Sequence, residues 1–340
     1  MNRAATDPIN AAAWEGPAAR IAVIVPTRDR APLIVELLSA LEAQDLPRAA
    51  FEVVVADDGS TDDTWGTLAD VAARTSLRLR AVRLPTSAGP AAARNAAAAA
   101  SRAPLLAFTD DDCHPVPEWL STLARAFDGD VDIVQGRTLP DPLAPRGPWD
   151  RIVVIERPTP LYETCNIAYR RSAFEQAGGF ATERPDVARG TRPHFGEDAR
   201  LGWRVLANGG TASFAPDAMV HHRVWPDDYA GWLREQRRLS LFPSLVRETP
   251  GMRRMLWGWV FLGPATAAFD LAVASTAAAA ITRLPWLLAG VAPWVGLRWR
   301  GTRWRGGRSP FVRLAQLAVS DAVGLAALTV GSLRARRVVL

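Results

Sequence analysis

Three consecutive aspartates, Asp110, Asp111 and Asp112, follow the apolar segment Pro104–Thr109. Adjacent carboxylates repel one another, and a divalent cation offsets their charge well. The D-x-D spacing allows Asp110 and Asp112 to point the same way while Asp111 points elsewhere, so the outer pair can share one metal ion that also binds a diphosphate. Oxygen ligands favour Mg²⁺ or Mn²⁺. The alternative is a solvated turn or a helix cap, and a lone D-x-D does not distinguish between the two.

A second acidic pair, Asp57 and Asp58, follows the apolar segment Phe51–Ala56. Carboxylates at the end of a strand can accept hydrogen bonds from the edge of a nucleobase or from ribose hydroxyls. The same segment can equally form a plain strand-to-helix turn, in which Gly59 relaxes the backbone. Taken alone, the pair leaves both interpretations open.

Glu197 and Asp198 open a helical segment after a long polar stretch. One interpretation is that the pair caps the helix and compensates its dipole, which is common. The other is that one carboxylate acts as a general base that takes the proton of an acceptor hydroxyl. Further along the chain, His221 and His222 follow a strand-like segment, where a histidine is either a satisfied core residue or a metal ligand.

The elements that must position these residues alternate between strands and helices. Apolar, β-branched runs predict buried parallel strands, and the segments between them carry apolar residues at helical spacing. This order predicts an α/β fold with a mostly parallel sheet flanked by helices, in which ligands bind at the carboxyl ends of the strands. The predicted strands are Ile21–Val25, Phe51–Ala56, Leu77–Leu84 and Pro104–Thr109, and the predicted helices are Pro32–Ala43, Thr61–Ala73 and Ala91–Ala100.

The middle of the chain is less regular. Asp132–Gly136 is typical of a strand and Glu197–Asn208 of a helix, whereas Pro140–Trp149 is a proline-rich loop. Arg184–His194 is a long polar loop. Loops of that length in a compact domain are often functional.

The C-terminal third is much more apolar. Met255–Ala280 is long enough to cross a bilayer core of about 30 Å, and tryptophans and arginines lie near its edges. Leu284–Leu297 is short for a straight span. A third full span would place the arginines at 334–337 outside, against the charge bias, so we expect Phe311–Leu333 to lie in the interface or to double back. A soluble helical bundle is the alternative to a membrane region.

These patterns predict three regions. Residues 1–20 form a disordered lead-in, residues 21–250 form the catalytic domain, and residues 251–340 form a membrane-associated helical region. The arginines at 253–254 and 298–308 flank the first apolar stretches, which predicts a cytoplasmic catalytic domain.

The composition of the chain limits the classes of binding partner that we expect. The net charge is +5 and every basic residue is arginine, but these residues crowd beside the C-terminal apolar stretches, which suits a membrane lipid surface better than nucleic acid. We find no nucleic-acid-binding motif and therefore expect no nucleic-acid partner. The two cysteines, Cys113 and Cys165, form no C-x-x-C pair and favour a reducing compartment.

Taken in order, several short motifs resemble those of the family 2 glycosyltransferases, which have a GT-A fold. The resemblance covers about Ile21–Val224, and the ordered set is specific although each motif alone is weak. It is carried by Val25-Pro26-Thr27, Val55-Ala56-Asp57-Asp58-Gly59-Ser60, Gly89 to Asn95, Asp110-Asp111-Asp112, Asn166 with Tyr169-Arg170, Gly178-Gly179-Phe180, Glu197-Asp198 with Leu201 and Arg204, and His221.

The resemblance implies an inverting enzyme that moves a sugar from a UDP-, GDP- or dTDP-sugar donor to a hydroxyl acceptor, with Mn²⁺ or Mg²⁺ as cofactor. It places the reaction in cell-envelope, polysaccharide or glycolipid synthesis, where the acceptor can be lipid-linked. The residues implied in donor binding are Pro26, Thr27, Arg28, Asp57, Asp58, Arg94, Asp110 and Asp111. The implied metal ligands are Asp112, Asp110 and His221. Asp198 is implied as the catalytic base, with Asn166 and Glu197 on the acceptor side.

One departure from the family pattern bears on the reaction, and two rivals to this enzyme remain open. The Q-x-x-R-W signature of processive synthases is missing, since Leu233–Leu239 offers only Gln236 and two arginines, so a single addition is expected. A catalytically silent nucleotide-sugar-binding scaffold is the main rival to an enzyme. A dehydrogenase or a nucleotidyltransferase is weakly supported, because no G-x-G-x-x-G follows the first strand and no lysine-bearing phosphate loop exists.

Overall fold

The computed structural model describes residues 7–12, 18–182, 195–302 and 309–340. Contacts divide the chain into two compact units. The first comprises Met1–Ala144 and Ile152–Val224, and the second comprises Pro145–Arg151 and Trp225–Leu340. The predicted loop Arg184–His194 lies outside the described residues.

Within the described residues, the first unit contains nine strands in one mixed sheet, of order β1-β4-β3-β2-β5-β8-β7-β9-β6. The strands are β1 (Ile9–Asn10), β2 (Ile21–Thr27), β3 (Phe51–Asp57), β4 (Leu79–Arg83), β5 (Leu105–Thr109), β6 (Cys113–Pro115), β7 (Ile133–Pro140), β8 (Asn166–Arg170) and β9 (Ala212–His222).

The parallel half of this sheet is the half that the sequence predicts. Strand β2 pairs in parallel with β3 and β5, and β3 pairs in parallel with β4. The other half is mixed, because β8 runs antiparallel to β5 and β7, and β6 runs antiparallel to β9. Strand β1 lies in the region predicted as a disordered lead-in, where it pairs with β4.

The apolar run of β2 is continuous because both faces of the sheet are covered. Ile21, Val23 and Val25 pack in one hydrophobic cluster, whereas Ala22 and Ile24 pack in a second cluster on the other face. Side chains alternate between the faces of a strand, so a strand buried on both sides has no polar positions.

Helices cover the sheet, and the parallel pairing of β2 with β3 and β5 places the carboxyl ends of these strands at the same edge. In the first unit they are α1 (Ala31–Glu42), α2 (Thr64–Ala72), α3 (Pro90–Ala99), α4 (Trp119–Ala126), α5 (Arg171–Gln176) and α6 (Glu197–Ala207). The carboxyl ends of β2, β3 and β5 therefore meet beside the start of α3.

The second unit is helical. Its helices are α7 (Tyr229–Arg238), α8 (Phe242–Glu248), α9 (Pro264–Thr282), α10 (Ala292–Thr302) and α11 (Pro310–Ala335). Among the described helices, α9 and α11 are long and apolar enough to cross a membrane.

Two details of the apolar region differ from the sequence expectation. Helix α9 begins at Pro264 rather than near Met255, because the chain before it forms a turn in which Trp257 pairs with Phe261. Helix α11 is unbroken over 26 residues, so this segment does not double back, and its placement in the interface stays a prediction. Its charged residue Asp321 is accommodated by Arg298, which contacts both carboxylate oxygens.

Candidate active site

A cavity of about 430 Å³ lies at the carboxyl ends of the parallel strands of the first unit. Its wall exposes polar and apolar surface in similar amounts and contains both signs of charge. It is lined by Pro26, Thr27, Arg28, Arg30, Asp58, Ser87, Gly89, Pro90, Arg94, Asp110, Asp111 and Asp112. These residues come from the ends of β2, β3 and β5 and from the start of α3, where a parallel sheet is expected to bind ligands.

Asp58 shapes one wall of the cavity by fixing the turn before α3. Its carboxylate accepts hydrogen bonds from the backbone N–H of Ala88 (2.7 Å) and of Gly89 (2.9 Å) and from the Ser87 hydroxyl (2.8 Å). Arg28 donates to the same hydroxyl at 2.5 Å. The α3 N-terminus is therefore held rigidly at the cavity, where its free N–H groups favour an anion.

Asp111 is engaged through both carboxylate oxygens. The Thr27 hydroxyl donates to Oδ2 at 2.7 Å, and Arg30 Nη1 lies 2.7 Å from Oδ1. Burial raises the pKa of Asp111 to about 6, against the opposing effect of Arg30 and the Thr27 hydrogen bond. This carboxyl ties the end of β2 to the end of β5.

Arg94 connects the wall of the cavity to the start of α6. It is 6% exposed, and its Nη2 donates to Asp110 Oδ1 at 2.7 Å. Its Nη1 lies 3.9 Å from Asp198 Oδ1. One buried guanidinium thus stands between two carboxylates, which fixes their separation.

Asp198 has one oxygen held by hydrogen bonds and one oxygen that is buried without a hydrogen-bond partner in the described residues. The backbone N–H and the hydroxyl of Thr164 both donate to Oδ2, each at 3.1 Å. Oδ1 accepts no hydrogen bond from the described residues. Burial raises the pKa of Asp198 to about 7, and Arg94 opposes this rise. A carboxyl with a pKa near neutrality and an unpaired oxygen suits proton transfer.

Hydrogen-bond capping by the Glu197–Asp198 pair finds no support in the described residues, whereas both acids lie in the first turn of α6, where they compensate the helix dipole. Helix α6 has Gly196 at its N-cap, and no side chain there accepts a hydrogen bond from the first turn. The Asp198 carboxylate instead faces Thr164 and Arg94.

Asp112 and His222 form the arrangement that best fits a metal ion. Asp112 Oδ1 lies 3.4 Å from His222 Nε2, and Arg30 Nη1 lies 3.2 Å from Asp112 Oδ2. His222 Nδ1 is 2.9 Å from the Arg223 carbonyl oxygen, which can only accept, so we assign the ring hydrogen to Nδ1. The lone pair of Nε2 then faces a carboxylate, as in metal-ligating histidines whose other nitrogen donates to a carbonyl.

Residues 22–190 match the family model described as "Glycosyl transferase family 2". This chain belongs to glycosyltransferase family 2. A solved structure, the mannosyltransferase PcManGT from Pyrobaculum calidifontis in complex with GDP-Man and Mn²⁺, aligns with 92% of this chain and 87% of that one. The TM-score is 0.56 at 22% sequence identity, which supports a shared α/β GT-A-like fold.

Two sequence relatives of the chain are also glycosyltransferases by name. The pre-mycofactocin glycosyltransferase of Mycobacterium tuberculosis is 29% identical over 229 residues, 61% of this chain and 43% of that protein. The poly(ribitol-phosphate) beta-N-acetylglucosaminyltransferase TarS of Staphylococcus aureus is 34% identical over 160 residues, 43% of this chain and 28% of that protein. The matches span less than half the length of both relatives.

Several residues implied by the family resemblance come together in this family 2 chain. The cavity wall contains Pro26, Thr27, Arg28, Asp58, Arg94, Asp110, Asp111 and Asp112. Asp198 and Glu197 lie at the start of α6, and Asp198 approaches the wall through Arg94. Their roles remain predictions.

Three implied residues are placed elsewhere. Asp57 is fully buried, accepts hydrogen bonds from Ser60 and pairs with Arg83 at 3.2 Å, so it stabilises the turn and does not line the cavity. Asn166 is also fully buried, and its amide bonds the carbonyls of Arg137 and Ala218, which corrects its assignment to the acceptor side.

The third correction concerns the histidine. His221 pairs across the sheet with His114, one position before His222, and successive side chains of a strand point to opposite faces. The residue beside Asp112 is therefore His222. The error was one position, because strand β9 runs on to His222 and its register was not readable from the sequence. Asp110 also differs from expectation, since it pairs with Arg94 and lies outside the cluster of metal-capable atoms in the described residues.

Sequence reasoning missed three contributors to the site. Arg30 and Ser87 line the cavity, and Thr164 holds Asp198. Arg30 lies three residues after the Val25-Pro26-Thr27 motif, so its proximity to that motif could have indicated a place in the site. Ser87 and Thr164 lie in irregular segments, where no periodicity indicates direction.

Proposed function

We propose that this chain transfers a sugar from a nucleotide-sugar donor to a hydroxyl group of an acceptor, in one inverting displacement. The observation that carries the proposal is the Asp198 carboxylate, whose Oδ1 accepts no hydrogen bond from the described residues and lies 3.9 Å from Arg94. The other terminal nitrogen of Arg94 binds Asp110 in the cavity wall. A base and an anion-binding wall are thus linked by one buried guanidinium.

The donor would lie in the cavity at the strand ends. Pro26, Thr27 and Arg28 line the part of the wall formed by β2, and we assign the nucleotide to that part. The diphosphate would lie against the start of α3, where helix N–H groups and Arg94 supply positive charge. The mixed polar and apolar wall and the volume of about 430 Å³ suit a nucleotide-sized ligand.

The reaction balances with the residues described. The acceptor oxygen forms a bond to the anomeric carbon while Asp198 Oδ1 takes its proton. The bond between the anomeric carbon and the diphosphate breaks, and the nucleoside diphosphate leaves with the electron pair. Attack opposite the leaving group inverts the anomeric centre. The contribution of the chain is positioning and proton transfer.

A divalent cation, Mn²⁺ or Mg²⁺, fits the donor set of Asp112 and His222. A carboxylate oxygen and an imidazole lone pair 3.4 Å apart repel each other unless a cation or a proton lies between them. The bound ion supplies charge neutralisation for the leaving diphosphate. The Mn²⁺ in the PcManGT complex supports this assignment.

The acceptor and the membrane belong to the same proposal. The name of TarS describes a transferase that acts on poly(ribitol-phosphate), which supports a hydroxyl-bearing polymer as the acceptor. Here we assign a cell-envelope polymer or glycolipid to that role. Helices α9 and α11 would hold the chain at a membrane, with the catalytic unit on the cytoplasmic side. Recovery of the full-length chain in the high-speed supernatant without detergent would contradict the membrane assignment.

The decisive experiment measures donor turnover. Full-length protein is incubated with UDP-, GDP- and dTDP-sugars, Mn²⁺ and membrane extract, and release of the nucleoside diphosphate is followed. One donor class should be consumed in proportion to enzyme and acceptor. The alternative, a silent nucleotide-sugar-binding scaffold, predicts saturable donor binding with no release of nucleoside diphosphate.

A further inference from the structure

Cys113 and His222 are direct cross-strand neighbours. They are paired in the antiparallel register of β6 and β9, which places their side chains on one face of the sheet. Both are buried, at 0% and 9% exposure. Asp112 immediately precedes Cys113, and its carboxylate reaches the same histidine at 3.4 Å.

The three side chains bring three different ligand atoms together. An oxygen of Asp112, the sulfur of Cys113 and a ring nitrogen of His222 all lie within 4.8 Å of one another. Mg²⁺ is a hard cation that prefers oxygen and gains little from sulfur. Zn²⁺ and Co²⁺ accept all three kinds of ligand.

We propose that Asp112, Cys113 and His222 form a mixed oxygen, sulfur and nitrogen site that binds Zn²⁺ or Co²⁺ in preference to Mg²⁺. On binding, the Cys113 thiol releases its proton to solvent and the thiolate forms the metal–sulfur bond. Asp112 and His222 also belong to the proposed catalytic site, so Zn²⁺ competes there with the catalytic cation and inhibits transfer. Only this inhibition rests on the proposed function.

Cys165 provides a matched control. It is also buried, and its sulfur lies 3.7 Å from the Thr138 hydroxyl. Among the described residues it is outside the cluster of metal-capable atoms. Replacing either cysteine by serine exchanges a buried thiol for a buried hydroxyl, so the two variants carry similar folding costs but differ at the site.

The experiment is a Co²⁺ titration of the full-length protein in detergent, without donor or acceptor, followed by absorption spectroscopy. Wild type should develop an intense near-ultraviolet sulfur-to-cobalt charge-transfer band. Cys165→Ser should retain the band and Cys113→Ser should lose it. Because loss of an outer-shell partner alone weakens metal binding about 10- to 100-fold, Cys113→Ser should bind Zn²⁺ at least about tenfold more weakly in a competition titration.

Two results would overturn the site. One is Co²⁺ saturation of the wild type, measured by equilibrium dialysis, without a sulfur band. The other is a band that persists in a folded Cys113→Ser or Cys113→Ala variant. The wild-type spectrum decides the matter even if both variants unfold. A chain that shows the band but transfers no sugar keeps this site and loses the proposed function, so the two failures are distinguishable.

Discussion

Two buried carboxyls in the first unit, Asp111 at the end of β5 and Asp198 at the start of α6, have similar electrostatics but different hydrogen bonding. Burial raises the pKa of both, to about 6 and about 7. Thr27 and Arg30 occupy the two oxygens of Asp111, whereas Oδ1 of Asp198 accepts no hydrogen bond from the described residues. A raised pKa alone therefore does not identify a base. The unpaired oxygen separates the candidate base from the anchor.

The same contrast applies to the arginines. Arg30 contacts Asp111 directly at 2.7 Å, which makes the pair part of the scaffold. Arg94 lies 3.9 Å from Asp198, so it attracts the carboxylate without making a short contact. The longer distance to its arginine thus leaves Asp198 able to exchange a proton, whereas the short contact with Arg30 keeps Asp111 fixed.

The largest expected effect is the loss of sugar transfer when the metal ion is removed from the site beside Asp110–Asp112. Chelation with EDTA should reduce transfer below detection, because a bound cation contributes several kcal/mol to stabilisation of the leaving diphosphate. Added Mn²⁺ or Mg²⁺ should restore it. Product formation is measured with and without chelator, and full activity in chelator would remove the metal from the proposed mechanism.

The second effect tests the Asp198 region. Asp198→Asn preserves the size of the side chain but cannot take a proton, so transfer should slow by roughly 10² to 10⁴-fold. Nucleotide binding should be close to that of wild type, since Asp198 does not line the cavity. Glu197→Gln is the matched control and should retain most of the activity. Near-normal transfer by a folded Asp198→Asn variant would place the base elsewhere, with Glu197 as the next candidate.

Stability gives an independent check on this variant. The pKa of Asp198 is higher in the folded chain than in the unfolded chain, where it lies near 3.8. The folded state therefore retains a proton that the unfolded state has lost between about pH 4 and pH 7, so the charge of Asp198 destabilises the fold as the pH rises through this window. The Asp198→Asn variant has no such charge, and its melting temperature at pH 8 should equal or exceed that of wild type. A lower one would mean that its loss of activity reflects unfolding.

The third effect is a difference in Mn²⁺ affinity between variants of two neighbouring aspartates, Asp111 and Asp112. Asp112→Asn should weaken Mn²⁺ binding about 10- to 100-fold or more, as loss of a ligand requires. Asp111→Asn should change Mn²⁺ affinity much less, because Asp111 contacts Thr27 and Arg30 rather than His222. Manganese binding is followed by electron paramagnetic resonance. Equal losses in both variants would show that the cation lies between the two carboxylates.

The sequence predicted the parallel half of the fold because its strands are buried on both faces. The prediction Phe51–Ala56 differs from β3 by one residue, and Ala91–Ala100 is displaced by one residue from α3. The short antiparallel strands β6 and β8 were not predicted, since three to five residues carry little periodicity.

Within the site, the sequence could not predict the direction in which each side chain points. The acidic pairs were found because carboxylates at strand ends are conspicuous, but sequence could not show that Asp57 points into the core and Asp58 into the cavity. Adjacent residues face opposite sides, so a one-residue error in register reverses the assignment. The exchange of His221 for His222 has the same cause.

The fourth effect concerns the pH dependence of transfer. A base must be deprotonated to act, so activity should rise with pH and level off above a midpoint near 7, the pKa of Asp198. The rate is measured at saturating donor from about pH 5.5 to about pH 9, a range that extends to both sides of the expected midpoint. A profile that stays flat down to pH 5.5 or so would contradict the raised pKa and favour a solvent-exposed base.

The smallest effect comes from Thr164, which positions Asp198 without contacting substrate. Thr164→Val removes the hydroxyl that donates to Oδ2 at 3.1 Å and leaves the backbone N–H in place. A hydrogen bond to a charged group contributes about 1.5 kcal/mol, and one pH unit corresponds to about 1.4 kcal/mol, so the midpoint of the pH profile should move upward by about one pH unit. Near pH 7 the variant should therefore be several-fold slower, and at high pH it should approach the wild-type rate. Thr164→Ser keeps a hydroxyl and should keep the wild-type midpoint. A purely structural role for Thr164 predicts instead a loss of rate that is equal at every pH, and that result would remove Thr164 from the positioning of the base.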